Sequence, residues 1–552
     1  MTRGRGCALT HPDERAGSDG RVASGFGRKG AGNLPAMPDT AHVTTPDLPV
    51  VLLSHRAPVT FGRDGDQRTA DRGAGGLVSA LVGLAAGLDD SVWVCAAGSD
   101  EDRAVVDEYG DKGSAGVQVS LFPNAGIVDE VDTPEGTRTT RLRMLAIDPA
   151  QHDQFYGQIS NPLLWFVQHG LYGRATEPDL GKAEHEAFVH GYVAVNDAFA
   201  EAVADEVESR GGQALVMLHD YHFYLVAARV RERCPDVTMS HFVHIPWPGP
   251  NEWTVLPPVM RDPIFHGLLG NDVVAFHTER FARNFLLCLQ ELLGYSVNWD
   301  DLTVRVGART VAARWYPISI ETEALEELAA SDQVAEHREA LTRQFLDDGR
   351  QLVLRVDRTD PSKNIVRGFR AFDTMLTDHP ELKGRVVFFA MLQPSRQDVP
   401  QYQDYIASIG GVVAEVNARH GGNGWEPIHL LMENDFALAV AAYQICDLLV
   451  VNALADGMNL VAKEAVLVNQ RDGVLALSEN TGAYQELGSV AVRLYPFDIQ
   501  QQADAMYEAL TMAPKERRDR LTAAADIVRR NDVAKWLDAQ LLDLEDELAA
   551  PA

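Results

Sequence analysis

Short apolar runs recur along the chain, separated by stretches in which apolar residues return every three or four positions. Runs at 50–53, 91–95, 214–218, 238–243 and 272–276 form one series of predicted strands. A second series lies at 351–356, 385–391, 428–432, 447–451, 474–477 and 491–494. Several are continuous rather than alternating, the pattern of strands buried on both faces. Between them, helical spacing predicts helices at 78–88, 192–209, 223–233, 281–293, 364–377, 437–444, 460–468 and 501–510. Alternating strand and helix implies α/β architecture, with parallel sheets covered on both faces. Two series imply two doubly wound, Rossmann-like domains, joined near 316–321. An amphipathic stretch at 533–548 predicts a last helix after the second series.

Composition supports this and narrows the function. The chain has 552 residues, more than one core usually holds, and 46% of them are hydrophobic. With 49 Lys+Arg against 79 Asp+Glu, the formal charge is −30. A solvated acidic surface explains that number and repels phosphate backbones, so nucleic acid is not an expected partner. It leaves room for a local basic pocket. Cys7, Cys95, Cys234, Cys288 and Cys446 include no CxxC. A disulfide framework is therefore not expected, and a reducing cytoplasm fits. No apolar run approaches the ~20 residues of a membrane span, and no secretory apolar core follows the early arginines. Residues 1–46 are rich in Gly, Ala, Arg, Asp and Pro, a composition expected to stay disordered. Met37, shortly before the first strand, is an alternative start, which mass spectrometry of the native N-terminus would test.

Ligands of open α/β sheets bind outside the carboxyl ends of strands, so candidate chemistry belongs at those positions. The first strand leads into Ser54-His55-Arg56-Ala57-Pro58, followed by Gly73-Ala74-Gly75-Gly76 opening a helix. Such glycines let backbone N–H groups approach an anion, although many only turn the chain. Strand 214–218 ends in His219-Asp220-Tyr221-His222, and strand 238–243 in His244-Ile245-Pro246-Trp247-Pro248. Clustered His and Asp admit a zinc reading, but no HExxH or paired Cys supports it. In the second series, Arg358 and Lys363 end a strand and open a helix. That placement suits a pyrophosphate, and equally a surface ion pair. Arg396 follows another strand, fit for a phosphate or for solvent. Asp456-Gly457-Met458-Asn459-Leu460 then opens a helix that carries Glu464 a turn in, where a carboxylate can accept from ribose hydroxyls. Together these residues describe a nucleotide-sugar site between two α/β domains.

From about 50 to 544 the chain resembles the trehalose-6-phosphate synthases, retaining glycosyltransferases of the two-domain GT-B type. The resemblance rests on SHRAP, GAGGLVSAL, YGQISNPLLW, HDYH, FVHIPWP, YPISIE, RVDRTDPSKN, PSRQDVPQYQDY, DGMNLVAKE and LSENTGAY, in that order. RVDRTDPSKNIVRG resembles actinobacterial members in particular. The resemblance implies an N-terminal acceptor domain at 47–318 and a donor domain at 319–530. It also implies a tail, 531–552, that returns to the first domain. Arg358 and Lys363 then hold the donor pyrophosphate, Glu464 the ribose, and Asp456 with the Gly457–Leu460 backbone, Met458 and Asn459 included, the donor glucose. His244 touches the donor sugar at the reaction centre, and Gly76 belongs to the loop that closes near the donor phosphates. Arg56, Tyr156, Trp165 and Arg396 hold the acceptor phosphate, with Asp220 beside the acceptor sugar. His244, Asp220, Arg358 and Lys363 form the catalytic set. No metal or other cofactor is implied, the cations acting in its place. The implied reaction moves glucose, with retention, from a nucleoside diphosphate to glucose 6-phosphate, giving α,α-trehalose 6-phosphate. GDP- and UDP-glucose both fit, the actinobacterial likeness favouring GDP. A homo-oligomer is compatible. One departure stands out: family members often carry W-F-G-W where this chain has Trp93-Val94-Cys95-Ala96. Alternatives are a pseudo-glycosyltransferase joining cyclitols, a glucosylglycerol-phosphate synthase, and a non-catalytic sugar-phosphate-binding regulator.

Overall fold

The computed structural model describes residues 48–549, apart from 66, 73–75, 87, 89, 110–116, 123–125, 128–137, 347 and 398. The stretch 1–46, Met37, Cys7 and most of the glycine-rich segment 73–76 therefore lie outside the described residues.

Two large sheets organise the chain. Seven parallel strands form the centre of the first, in the spatial order Arg309–Trp315, Val273–Phe276, Thr238–Phe242, Leu215–His219, Val50–Leu53, Ser91–Ala96 and Arg138–Leu145. Short antiparallel strands extend both edges. The second sheet is wholly parallel: Ile428–Leu431, Val386–Gln393, Gln351–Arg358, Leu448–Val451, Val474–Ser478 and Val492–Leu494. The central strands bury every residue on both faces, as in Val50–Leu53 and Leu448–Val451. That explains their unbroken apolar runs.

Each sheet reverses its winding at one place. In the first, the chain moves outward from Val50–Leu53 through Ser91–Ala96, then returns to Leu215–His219 on the other side. In the second it moves outward from Gln351–Arg358 through Val386–Gln393 and returns to Leu448–Val451. Such reversals leave a crevice between loops that leave in opposite directions. Ser54–Arg56 and His219–Asp220 flank the first crevice, Arg358–Lys363 and Asn452–Asp456 the second.

Tyr316–Glu321 runs without regular structure from the first sheet to the helix Thr322–Ala329. The last helix, Val533–Ala549, turns back. Its Trp536 meets Phe242 at 5.3 Å between ring centroids, and the Tyr316 hydroxyl donates to Asp543 at 2.5 Å. Trp536, Leu537, Leu541 and Leu544 join a buried cluster that also contains Trp93 of the first sheet and Leu477 of the second. One core thus runs through both halves. Across the join, the buried Lys463 ammonium donates to the Ile318 carbonyl at 2.9 Å and pairs with Glu486 at 2.6 Å. Among the described residues, no helix is long and apolar enough to cross a membrane. Cys95, Cys234, Cys288 and Cys446 are free and buried.

Two boundaries differ from the sequence expectation for physical reasons. The helix expected at 223–233 begins at Val226, because a tight turn at Tyr221–Phe223 follows the strained Asp220. The helix expected at 192–209 takes regular α form from Ala194 to Ser209, after a wider π-type turn at Phe188–Val193.

Candidate active site

The first crevice is aromatic. His55 stacks on Tyr156 and on His222, each at 4.8 Å between centroids. Tyr156 and Trp165 come from Asp153–Trp165, a helical segment of wide π-type turns with Pro162 inside it. Proline removes an N–H donor there, and wide turns often mark functional segments. Burial holds His55 down at about 3 and His222 well below its usual range, so both rings are neutral. Burial also acts on Tyr156, upward, but Arg396, Arg56 and a hydrogen bond with Asn161 outweigh it and lower the phenol overall. Arg56 is exposed at the rim. Trp93, from the departing WVCA run, donates to Ser54 at 2.8 Å, and Ala96 is buried behind the crevice.

The second crevice is built of paired ions. The Lys363 ammonium lies 2.5 Å from Asp456 and 3.9 Å from Asp357. Burial alone would depress this lysine, but the two carboxylates outweigh it and raise the ammonium above its usual range. Asn459 donates at 3.0 Å to the same Asp456 oxygen, Oδ2, that pairs with Lys363, and caps the helix Leu460–Val468 by accepting from the Ala462 amide at 3.2 Å. Arg358 pairs with Asp360 at 2.5 Å. Glu464, one turn into the helix, accepts from the Tyr443 hydroxyl at 3.1 Å, and burial raises it to about 7. Gly76 opens the helix Gly76–Ala86.

The crevices meet. Arg396 leaves the second sheet, stands 4.0 Å over the Trp165 ring, and donates to the Tyr221 hydroxyl at 3.1 Å and to that of Tyr402. Arg358 lies 5.5 Å over the same ring. Gly457 comes so close to the first half that a Cβ there would lie 2.0 Å from the His244 carbonyl oxygen. Only glycine allows that approach. The His244 amide donates to Asp220 at 3.3 Å, and burial pushes Asp220 up to about 7. Asp220 and Arg396 hold positive φ angles of 73° and 46°, and Asn459 one of 78°. Such conformations cost about 1–3 kcal/mol in a non-glycine residue and concentrate at functional sites.

The structure therefore brings Arg358, Lys363, Asp456, Gly457, Asn459, Arg396, Trp165, Asp220 and His244 to one junction. Tyr156 and Arg56 border it on the first half, and Glu464 lies a helical turn away on the second. Sequence reasoning passed over Tyr221 and Tyr402, which orient Arg396, and Asp360, which pairs with Arg358. They lie within HDYH, QYQDY and RTDPSK, where neighbouring residues carry the clearer signal. Among the described residues, no three His, Cys, Asp or Glu side chains converge as a metal site would need.

Residues 49–546 match the model of glycosyltransferase family 20. The chain belongs to that family. Among characterised relatives, it is 32% identical over 498 residues to a bifunctional trehalose-6-phosphate synthase/phosphatase of Thermoproteus tenax, covering 88% of this chain. It spans only 62% of that longer protein. It is 30% identical over 507 residues to a validamine 7-phosphate valienyltransferase of Streptomyces hygroscopicus subsp. jinggangensis, covering 91% of this chain and 95% of that one. Its fold is similar to the crystal structure of an alpha,alpha-trehalose-phosphate synthase (UDP-forming) from Burkholderia xenovorans in complex with glucose-6-phosphate. The TM-score is 0.73 with 26% identity, over 90% of this chain and all of that one. The family and the GT-B fold inferred from the motifs both hold.

Proposed function

We propose that this chain is a trehalose-6-phosphate synthase. It transfers glucose, with retention, from a nucleoside-diphosphate glucose to glucose 6-phosphate and forms α,α-trehalose 6-phosphate. The observation that carries this reading is the meeting of cations from the second sheet with aromatic groups of the first at Trp165. Two anionic substrates need positive charge in a molecule whose net charge is −30. The similarity to relatives named as trehalose-phosphate synthases supports the same conclusion.

In this reading 47–318 binds the acceptor, 319–530 binds the donor, and the chain from 531 closes back on the first. The donor pyrophosphate replaces Asp456 and Asp360 as partner of Lys363 and Arg358. As the bond to the leaving phosphate breaks, these cations stabilise the developing charge, the task a metal ion performs in other transferases. Asp456, released from Lys363, accepts from glucose hydroxyls together with the Gly457–Leu460 backbone. Glu464 accepts from ribose. Arg396, Arg56, Tyr156 and Trp165 hold the acceptor phosphate, and His244 and Asp220 border the reacting carbons. Asp220 is protonated below about pH 7 and already accepts from the His244 amide, which makes it a poor nucleophile. A front-face course follows, in which the leaving phosphate oxygen takes the proton of the incoming anomeric hydroxyl. Closure of the two halves excludes water and so suppresses hydrolysis. The enzyme works in the cytoplasm.

The similarity to the valienyltransferase supports one second reading, transfer to a cyclitol phosphate. A panel of nucleoside-diphosphate glucoses, including GDP- and UDP-glucose, offered with glucose 6-phosphate or with cyclitol phosphates, separates the two. Trehalose 6-phosphate as the product supports the proposal. Transfer to cyclitols alone, or none at all, overturns it.

A further inference from the structure

Four histidines gather where the central strands of the first sheet end: His219, His241, His244 and His277. His219 stands directly beside Phe242 in the parallel pairing of Leu215–His219 with Thr238–Phe242. Such partners project from one face, and the strand period of two carries His244, two residues beyond Phe242, toward the same side. The outcome is a direct contact, with His219 Nδ1 3.2 Å from His244 Nε2. The neighbours are committed elsewhere. His277 Nε2–H donates to the His244 carbonyl at 3.2 Å, and His241 Nε2–H to the Asp220 carbonyl at 3.0 Å. Trp536 of the last helix packs 6.2 Å from the His244 ring.

Burial, with a smaller contribution from His241, holds His219 down at about 3. Burial, then His277, His219 and His241, holds His244 well below its usual range. Near neutral pH each ring therefore carries one proton, and the contact needs one donor and one acceptor. The far nitrogen of His219, Nε2, is buried, and no group among the described residues bonds to it. If the His219 proton sat there, it would be an orphaned buried N–H, the rarer and costlier kind of unmet polar group. If it sits on Nδ1, it donates to His244 Nε2, and only a bare nitrogen is left without a partner.

We propose that His219 is a positioning residue that locks His244 in the Nδ1–H tautomer. His244 then keeps Nδ1–H as its sole ring donor, ready for an oxygen of the transferred sugar or of the bond being broken. This rests on the reading of His244 as a reaction-centre residue. It gives a reason for the His-Asp-Tyr-His strand end beyond Asp220, and it assigns His219 a role in turnover without contact to substrate.

Selectively 15N-histidine-labelled enzyme tests it by NMR, with His244→Gln identifying the His244 signals. The expected wild-type pattern is a protonated Nδ1 and a bare Nε2 on His244. His219→Leu removes the donor, so the His244 proton should redistribute between its nitrogens. Its kcat should fall about 10- to 100-fold, with KM for the nucleotide sugar within about 3-fold. His219→Asn can place an amide N–H where Nδ1 stood and should recover most of the loss. A wild-type His244 protonated on Nε2 would overturn the proposal, even if His219→Leu does not fold. So would wild-type kcat in His219→Leu, or an equal loss in a folded His219→Asn. If His244→Gln keeps full turnover, the role given to His244 fails, while the tautomer signals still decide what His219 does.

Discussion

In the function proposed, the two crevices meet the problem of binding an anion in opposite ways. On the second sheet the cations are native to the crevice and already neutralised: Lys363 by Asp456 and Asp357, Arg358 by Asp360. On the first sheet the wall is aromatic and neutral, formed by His55, His222, Tyr156 and Trp165, with Arg56 exposed at its rim. One of its cations, Arg396, is delivered from the other half and anchored on Tyr221 and Tyr402. Pre-paired ions are held in the geometry that a pyrophosphate can take over, so little reorganisation accompanies leaving-group departure. An aromatic wall completed by a borrowed arginine works only when the halves are together. In the proposed reaction the acceptor phosphate is thus gripped where donor and acceptor can react, which limits wasteful hydrolysis.

The sharpest way to break the donor side of this comparison is Lys363→Ala. It leaves Asp456 without its cation, Asp357 with Arg355 alone, and the leaving phosphate of the proposed reaction without its partner, so kcat should fall about 100- to 1000-fold in steady-state assays. Gly457→Ala attacks the meeting point instead. Its methyl would collide with the His244 backbone, where neither partner is a flexible side chain, and activity should drop at least about 100-fold. A solved structure of that variant should show the second-sheet loop displaced from His244. Arg396→Ala strips the borrowed cation and should raise KM for glucose 6-phosphate about 10- to 100-fold, a charge-assisted hydrogen bond's worth, while KM for the nucleotide sugar changes little.

The smallest effect concerns stability. Asp220 is raised to about 7 by burial, while its unfolded value is near 3.8. Between these values the folded state binds the extra proton, so the stability present at low pH is lost as pH rises through 7. Asp220→Asn removes that loss. In the ligand-free enzyme it should match the wild type in Tm only below about pH 4, gain on it as pH rises from there to 7, and exceed it by a few degrees near pH 8, as measured by calorimetry, while activity falls.

The parts legible in sequence were those where one strong local force decides the outcome. Central strands show as unbroken apolar runs, and 50–53 and the helix 460–468 agree with the structure to the residue. Charge-bearing strands do not show, whereas both edges of the second sheet, 428–432 and 491–494, do. The hairpin Val59–Asp64 with Gln67–Arg72 carries charge along an exposed face, so its alternation is masked. The helices Pro400–His420 and Pro514–Arg530 leave little apolar signal because they bury few large residues, the second only Ala524, Ala525 and Val528. In the site, cations at strand ends stood out against an acidic background. Their partners did not, because Lys363 meets Asp456 across 93 residues and Arg396 meets Tyr221 across 175. Only the fold brings those positions together. The His219 contact was within reach, since two neighbouring strands ending in histidine, with the strand period of two, predict rings side by side.

The central claim is that separate cations serve the two phosphates, Lys363 that of the donor and Arg396 that of the acceptor, and calorimetric titration of two variants tests it most directly. Nucleoside diphosphate would be titrated first, then glucose 6-phosphate with the nucleotide held saturating. Lys363→Ala should weaken the nucleoside diphosphate about 10-fold or more and leave glucose 6-phosphate within about 3-fold, with Arg396→Ala showing the reverse. Equal loss of both ligands in either variant would contradict the account.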